Sequence, residues 1–169
     1  TLIHIILEQQ VSLASARAAF LKLQQFIGDI TPEKILTMSD VELKQCYFSR
    51  QKTVYARCLA SAFVDGSISI QQLTNSSDEE IRTALTTIKG IGNWTVDVFL
   101  MMCLHSADLF PFGDIALVNS LKYIKSVSPH TDKTVLIAIT ENWKPYRSIA
   151  AFMLWHAYIC RKNIAFESA

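Results

Sequence analysis

Charge is scarce in this 169-residue chain: 18% of its residues are Asp, Glu, Lys or Arg, and 16 basic against 15 acidic residues leave a formal net charge of +1. Half of the residues are hydrophobic, which excludes a disordered chain. There is no overall basic signature, so any nucleic-acid partner must be held by a local patch. Cysteine is sparse too. Cys46, Cys58, Cys103 and Cys160 form no CxxC or Cys/His cluster, which argues against structural zinc and iron–sulfur centres and for free thiols in a reducing compartment. Apolar runs are short. The longest, Ile149–Ile159, contains Trp155, His156 and Tyr158 and falls short of the roughly 18 to 20 residues that cross a bilayer, so no membrane partner is expected. Thr1 enters apolar sequence at once, without Met or a basic leader, and the expectation is a trimmed chain or a missing upstream segment.

What is present is helical periodicity. Apolar residues recur at helical spacing in Thr1–Gln9, Ser12–Ile27, Arg50–Phe63, Asp78–Thr86, Asn93–Leu104, Asp114–Ser126, Asp132–Glu141 and Arg147–Cys160. No segment alternates as a strand would, and the expected class is all-α. Ser39 with Glu42 and Ser77 with Glu80 have capping-box spacing, and Thr31-Pro32 and Ser67 mark further helix starts.

The few glycines cluster: of five, Gly90, Gly92 and Gly113 fall between positions 90 and 113. The segment Leu85-Thr-Thr-Ile-Lys-Gly-Ile-Gly-Asn-Trp-Thr95 lies between two helical stretches. Gly-Ile-Gly permits a tight turn whose N–H groups open into the next helix, a geometry that attracts anions, with Lys89 adding a point charge. Ile88 and Ile91 would anchor the turn. The same spacing also fits a plain helix–helix connection.

Four segments together resemble one family. Ile88-Lys-Gly-Ile-Gly-Asn-Trp-Thr95 resembles the hairpin of the helix-hairpin-helix DNA glycosylases. Leu109-Phe-Pro-Phe-Gly-Asp114 is similar to their Gly/Pro-rich loop ending in a catalytic aspartate. Ile5-Ile-Leu-Glu-Gln-Gln-Val-Ser12 resembles their Ile-Ile-x-Gln-Gln-Ile-Ser segment, and Trp143-Lys-Pro-Tyr-Arg-Ser148 with Leu154-Trp155 the closing segment of the DNA-3-methyladenine glycosylase II branch. The resemblance implies two helical lobes with a DNA-binding cleft between them. The first would span residues 1–105 and carry the hairpin at about 86–94; the second, 106–169, would hold the aspartate loop and the last helix.

It also assigns roles. The hairpin residues Lys89, Gly90, Ile91 and Gly92 would bind the DNA backbone. The carbonyls of Thr86, Ile88 and Ile91 would hold a monovalent cation, Na+ or K+, with no other cofactor required. Asp114 would be the catalytic carboxylate, although its place before Ile115 equally suits a helix N-cap. Asp97 and Asp108 are the competing acids, one inside an apolar helix and one on a loop. One carboxylate suffices, because cleaving an N-glycosidic bond develops oxocarbenium-like charge that an anion stabilises. Relatives that also cut the strand carry a lysine where this chain has Trp94, and no lysine lies between Asn93 and Leu121; this implies base removal without strand cleavage. The four-cysteine cluster of the endonuclease III branch is absent.

A flipped base is held between aromatic faces. Trp94 and Trp155 match pocket positions, and Phe112 lies close to Asp114 in sequence; either tryptophan could instead be core. Gln10 matches the residue that plugs the void from the minor groove, or is simply an exposed helix end. Arg50 and Lys52 match a basic helix start. Tyr47 stands where the family commonly has glycine, and Glu8 replaces a small residue near the DNA-facing segment, where an acid should turn inward. Arg147 is expected to pair a carboxylate and fix the last helix. The expected function is excision of alkylated bases such as 3-methyladenine from damaged double-stranded DNA by a monomer, in the cytoplasmic nucleoid of a prokaryote or the nucleus of a eukaryote. The alternatives are a glycosylase for another lesion, an inactive hairpin DNA-binding protein, and a helical interaction domain unrelated to DNA.

Overall fold

The structure, a computed structural model, describes residues 1–164. Among them are eleven α-helices and no strand: α1 (Leu2–Glu8), α2 (Leu13–Ile27), α3 (Pro32–Thr37), α4 (Asp40–Gln45), α5 (Arg50–Val64), α6 (Ile70–Asn75), α7 (Asp78–Thr86), α8 (Asn93–Cys103), α9 (Ile115–Ile124), α10 (Lys133–Glu141) and α11 (Arg147–Arg161). The all-α expectation holds.

The start signals explain where helices begin. Ser39 and Ser77 each accept the N–H three residues on while Glu42 and Glu80 reach back, so both capping boxes form. Thr31 caps α3 with Pro32 at the first helical position. Ser67 does not start a helix. It donates through Oγ and N to Asp65 Oδ1 at 2.6 and 2.9 Å, and Ser69 caps α6 instead. Periodicity missed α3, α4 and α6 because each has only six residues, too few turns to show an apolar face.

The chain forms two compact units, Thr1–Phe99 and Leu100–Ala169. The boundary expected at 105 lies two residues past the end of α8 at Cys103; the structural division falls inside that helix. Thr95, Val96 and the run Val98–Met101 are all buried, so its composition shows no change where the packing partners change. Residues 165–169 of the expected second lobe lie outside the described residues.

In the first unit α1 packs on α2 and α3 on α5. Leu23, Leu43, Cys46 and Ala56 are wholly buried in its core. Burial contributes about 1.5 to 3 kcal/mol per leucine side chain, and the apolar setting pushes the Cys46 thiol up from its ordinary pKa. Glu8 turns partly inward, 3.9 Å from His4 Nε2. In the second unit α9 packs on α11, enclosing Leu117, Leu121, Ala151 and Leu154.

Candidate nucleic-acid interface and candidate carboxylates

The hairpin belongs to the first unit. Helix α7 closes with Ile88 N–H donating to Leu85 O at 3.1 Å, Ile91 N–H donates to Ile88 O at 3.0 Å, and Val96 N–H reaches Gly92 O at 3.1 Å as α8 starts. Ile88 and Ile91 are buried, anchoring the turn, and Lys89 is exposed. The two glycines differ. Gly90 has φ +95°, and a Cβ there would overlap the Tyr55 ring, whereas a Cβ on Gly92 would meet open space. Only Gly90 is required by backbone conformation and close approach.

A residue that the sequence reading passed over secures this turn. Gln9 Nε2 donates to Gly90 O at 2.9 Å and to Thr95 Oγ1 at 3.0 Å. Nothing in the pair Gln9-Gln10 distinguishes the two glutamines by type; the backbone does. Gln9 caps α1 with ordinary φ −58°, while Gln10 has φ +57° and is exposed.

Beside the turn lies a groove of about 530 Å³ whose lining includes Gln10, Tyr47, Ser49, Lys52, Tyr55 and Gly90. Ser49 caps α5, accepting from Lys52 N at 3.2 Å, and Gly92, the residue before α8, also lines it. Two helix N-termini therefore meet the groove, each with N–H groups and a partial positive charge suited to phosphate. Arg50 opens α5 and is exposed. Lys52 is placed differently from a free surface cation: its Nζ donates to Leu7 O, joining α5 to the end of α1. Burial holds its pKa below the ordinary lysine value.

The three acids are sorted by their partners. Asp97, in the first unit, takes the Arg82 guanidinium at 2.6 Å, and Arg82 also reaches Asn93 Oδ1 at 3.2 Å. Burial raises the Asp97 pKa despite that arginine, which opposes the shift. Asp108, in the second unit, is held in a fork: Arg147 Nε to Oδ1 at 2.7 Å and Nη2 to Oδ2 at 3.0 Å. Those hydrogen bonds keep its carboxyl below the usual range. Arg147 also donates to Asp108 O at 3.0 Å and Glu141 Oε1 at 3.3 Å, which gives it the fixing role expected of it.

Asp114 is the N-cap of α9, and its Oδ1 accepts Leu117 N–H at 2.8 Å. Its own N–H donates to Pro111 O at 2.9 Å, so the Pro111–Gly113 turn sets the carboxylate's position. Capping leaves further acceptor capacity on a two-oxygen group, so the N-cap and catalytic readings are compatible. In the same unit Phe112 packs at 4.7 Å on Phe110 and carries Lys133 Nζ at 5.7 Å over its ring. Trp155 is half-buried against the α9–α11 core and meets Phe152 edge-on at 5.7 Å. Trp94, in the first unit, is half-buried in the opening turn of α8.

An all-helical fold, a glycine-containing hairpin between two helices and a capped aspartate after a Pro/Gly turn fit the helix-hairpin-helix type of base-excision protein. Residues 3–145 match the HhH-GPD superfamily of base excision DNA repair proteins, and the chain belongs to that family. It is 34% identical over 126 residues to the putative DNA-3-methyladenine glycosylase YfjP of Bacillus subtilis, covering 75% of this chain and 44% of the relative. It is 30% identical over 158 residues to DNA-3-methyladenine glycosylase 1 of Schizosaccharomyces pombe, covering 91% and 69%. The chain thus spans from under half to about two thirds of the length of these relatives. Among solved structures, the fission-yeast 3-methyladenine glycosylase in complex with abasic DNA aligns with a TM-score of 0.87 at 29% identity, over 99% of this chain and 82% of that one. A DNA-3-methyladenine glycosidase from Bacillus halodurans aligns at 0.79 with 30% identity, over 96% and 76%.

Proposed function

We propose that this chain removes alkylated bases such as 3-methyladenine from duplex DNA by hydrolysing the N-glycosidic bond. The observation that carries the reading is the placement of Asp114: the Pro111–Gly113 turn and the Leu117 N–H fix its carboxylate at the start of α9. The named relatives are 3-methyladenine glycosylases, which supports the substrate class. Duplex DNA is the partner, engaged by a single copy.

In this mechanism the N–H groups at the start of α8 and Lys89 hold backbone phosphate, which positions the duplex without reading sequence; the Ile88 and Ile91 N–H groups close the turn instead. Gln10 enters the void left by the flipped nucleotide. Trp155, in the unit that holds Asp114 and Phe112, offers an indole face, and electron-rich indoles suit a base that already carries positive charge. The Asp114 carboxylate stabilises positive charge on the sugar as the bond breaks and orients the attacking water. Because the leaving base is cationic, no strong general acid is needed. Trp94 occupies the place of the Schiff-base lysine, so the reaction stops at the abasic site.

A monovalent cation suits the carbonyls of Thr86, Ile88 and Ile91. They lie at and just beyond the C-terminus of α7, where the helix dipole favours positive charge, and Ile88 O spends one lone pair on Ile91 N–H. Bound there, the ion would stiffen the turn against phosphate.

The test is incubation with duplexes carrying single defined lesions, followed by alkali. Strand breaks should appear at 3-methyladenine only after alkali, and borohydride should trap no enzyme–DNA adduct. Intact strands after alkali would leave the chain a binding protein, and a trapped adduct would make it a lyase.

A further inference from the structure

We propose that Tyr47 is a base-stacking residue, whose ring at the rim of the hairpin groove stacks on a base of the bound duplex. The inference deepens the DNA-binding reading and rests on it. Tyr47 is 65% exposed, yet its chain neighbours Cys46 and Phe48 are 0% and 3% exposed. Its N–H donates to Lys44 O at 3.0 Å and that of Phe48 to Leu43 O at 3.1 Å. The ring is thus presented outward from a pinned segment.

The backbone makes the same point. Tyr47 has φ +63°, a left-handed conformation that is costly for any residue with a Cβ. Among the described residues of the first unit, the non-glycine residues with positive φ are Gln10 and Tyr47. Both line this groove, together with Gly90. Gln10 repeats the arrangement, an exposed side chain beside an anchored neighbour, Gln9. A large aromatic held where glycine would be less strained, at a groove rim, points to a surface contact that uses the ring.

The ligand class follows from the groove. The N-termini of α5 and α8 draw phosphate to its edge. A tyrosine ring offers a rigid π-face that any base accepts, so the contact adds affinity without sequence preference. Unstacked bases flank a lesion once its nucleotide has left the helix. Tyr47 should therefore favour duplexes with a gap in the stack over intact ones.

Tyr47→Gly separates this role from folding, because glycine adopts the left-handed backbone freely. Wild type, Tyr47→Gly and Tyr47→Phe are compared by binding to an undamaged duplex and to one with an abasic-site analogue opposite 2-aminopurine, alongside thermal melting. Tyr47→Gly should melt no lower than wild type, bind the abasic duplex about tenfold more weakly, and leave 2-aminopurine bright where wild type quenches it. Tyr47→Phe should behave as wild type. Equal affinity and equal quenching for Tyr47→Gly would overturn the proposal, and so would a Tyr47→Phe as weak as Tyr47→Gly, since a hydroxyl contact would then be responsible. If wild type bound neither duplex, the DNA reading itself would fall.

Discussion

Gln9 Nε2 lies 2.9 Å from Gly90 O, tying the end of the first helix to a hairpin 81 residues further along the chain. The same amide reaches Thr95 Oγ1, so one side chain satisfies a turn carbonyl and a buried hydroxyl. Gln9→Leu would strand both groups, and an unsatisfied buried polar group costs about 1 to 3 kcal/mol. For a chain of this size that is a fall in Tm of roughly 2 to 4 °C per kcal/mol. Thermal melting checks it; an unchanged Tm would mean that the amide only decorates the turn.

The two hairpin glycines should part company. Gly90→Ala puts a Cβ into the Tyr55 ring at φ +95°, whereas Gly92→Ala meets open space. Gly90→Ala should therefore lower both Tm and DNA affinity, by a similar factor for damaged and undamaged duplexes, because the loss is of backbone phosphate contacts. Gly92→Ala should fold as wild type. Titrations of both variants against both duplexes distinguish these outcomes, and a defect confined to damaged DNA would move the hairpin into the base pocket.

Acid should act on Asp108. Its folded pKa is depressed by the Arg147 fork, so the unfolded state binds the proton more readily and stability falls as pH drops through the unfolded value and on toward the folded one. Above pH 5 the contribution should be fully present. The pair is partly exposed, which limits it to roughly 1 kcal/mol. Asp108→Asn should lower Tm near neutral pH and flatten the acid limb below about pH 4. A parallel downward shift of the whole Tm–pH curve would show that proton binding at Asp108 is not the cause.

Much of this was legible from residue types in order. Helical periodicity and the Ser39 and Ser77 caps gave the architecture, and the segments around Gly90 and Asp114 gave the family. What escaped was what spacing cannot encode. Gln9 and Gln10 are identical in type and differ only in backbone, Ser67 and Ser69 are both fair caps, and the division of α8 between two units leaves no mark on an unbroken apolar run. Lys52 reads as a surface cation until Leu7 O is seen to hold it.

Trp155 should select among substrates. It is half-buried and packs against the second unit's core. Trp155→Ala should lose about 1 to 3 kcal/mol of stacking on a base, and slow excision of cationic lesions more than of neutral ones. Rates on one lesion of each kind, measured with Tm, decide this. A large Tm loss with unaltered lesion preference would make it a core residue.

The most direct test of the proposed chemistry is single-turnover excision by Asp114→Asn on a duplex with one alkylated base, with binding measured in parallel. Asparagine keeps the shape and can still cap α9, but removes the charge. Excision should fall by about 100-fold or more while duplex affinity and Tm stay near wild type. Near-normal excision by Asp114→Asn, with Asp97→Asn or Asp108→Asn inactive instead, would contradict the assignment.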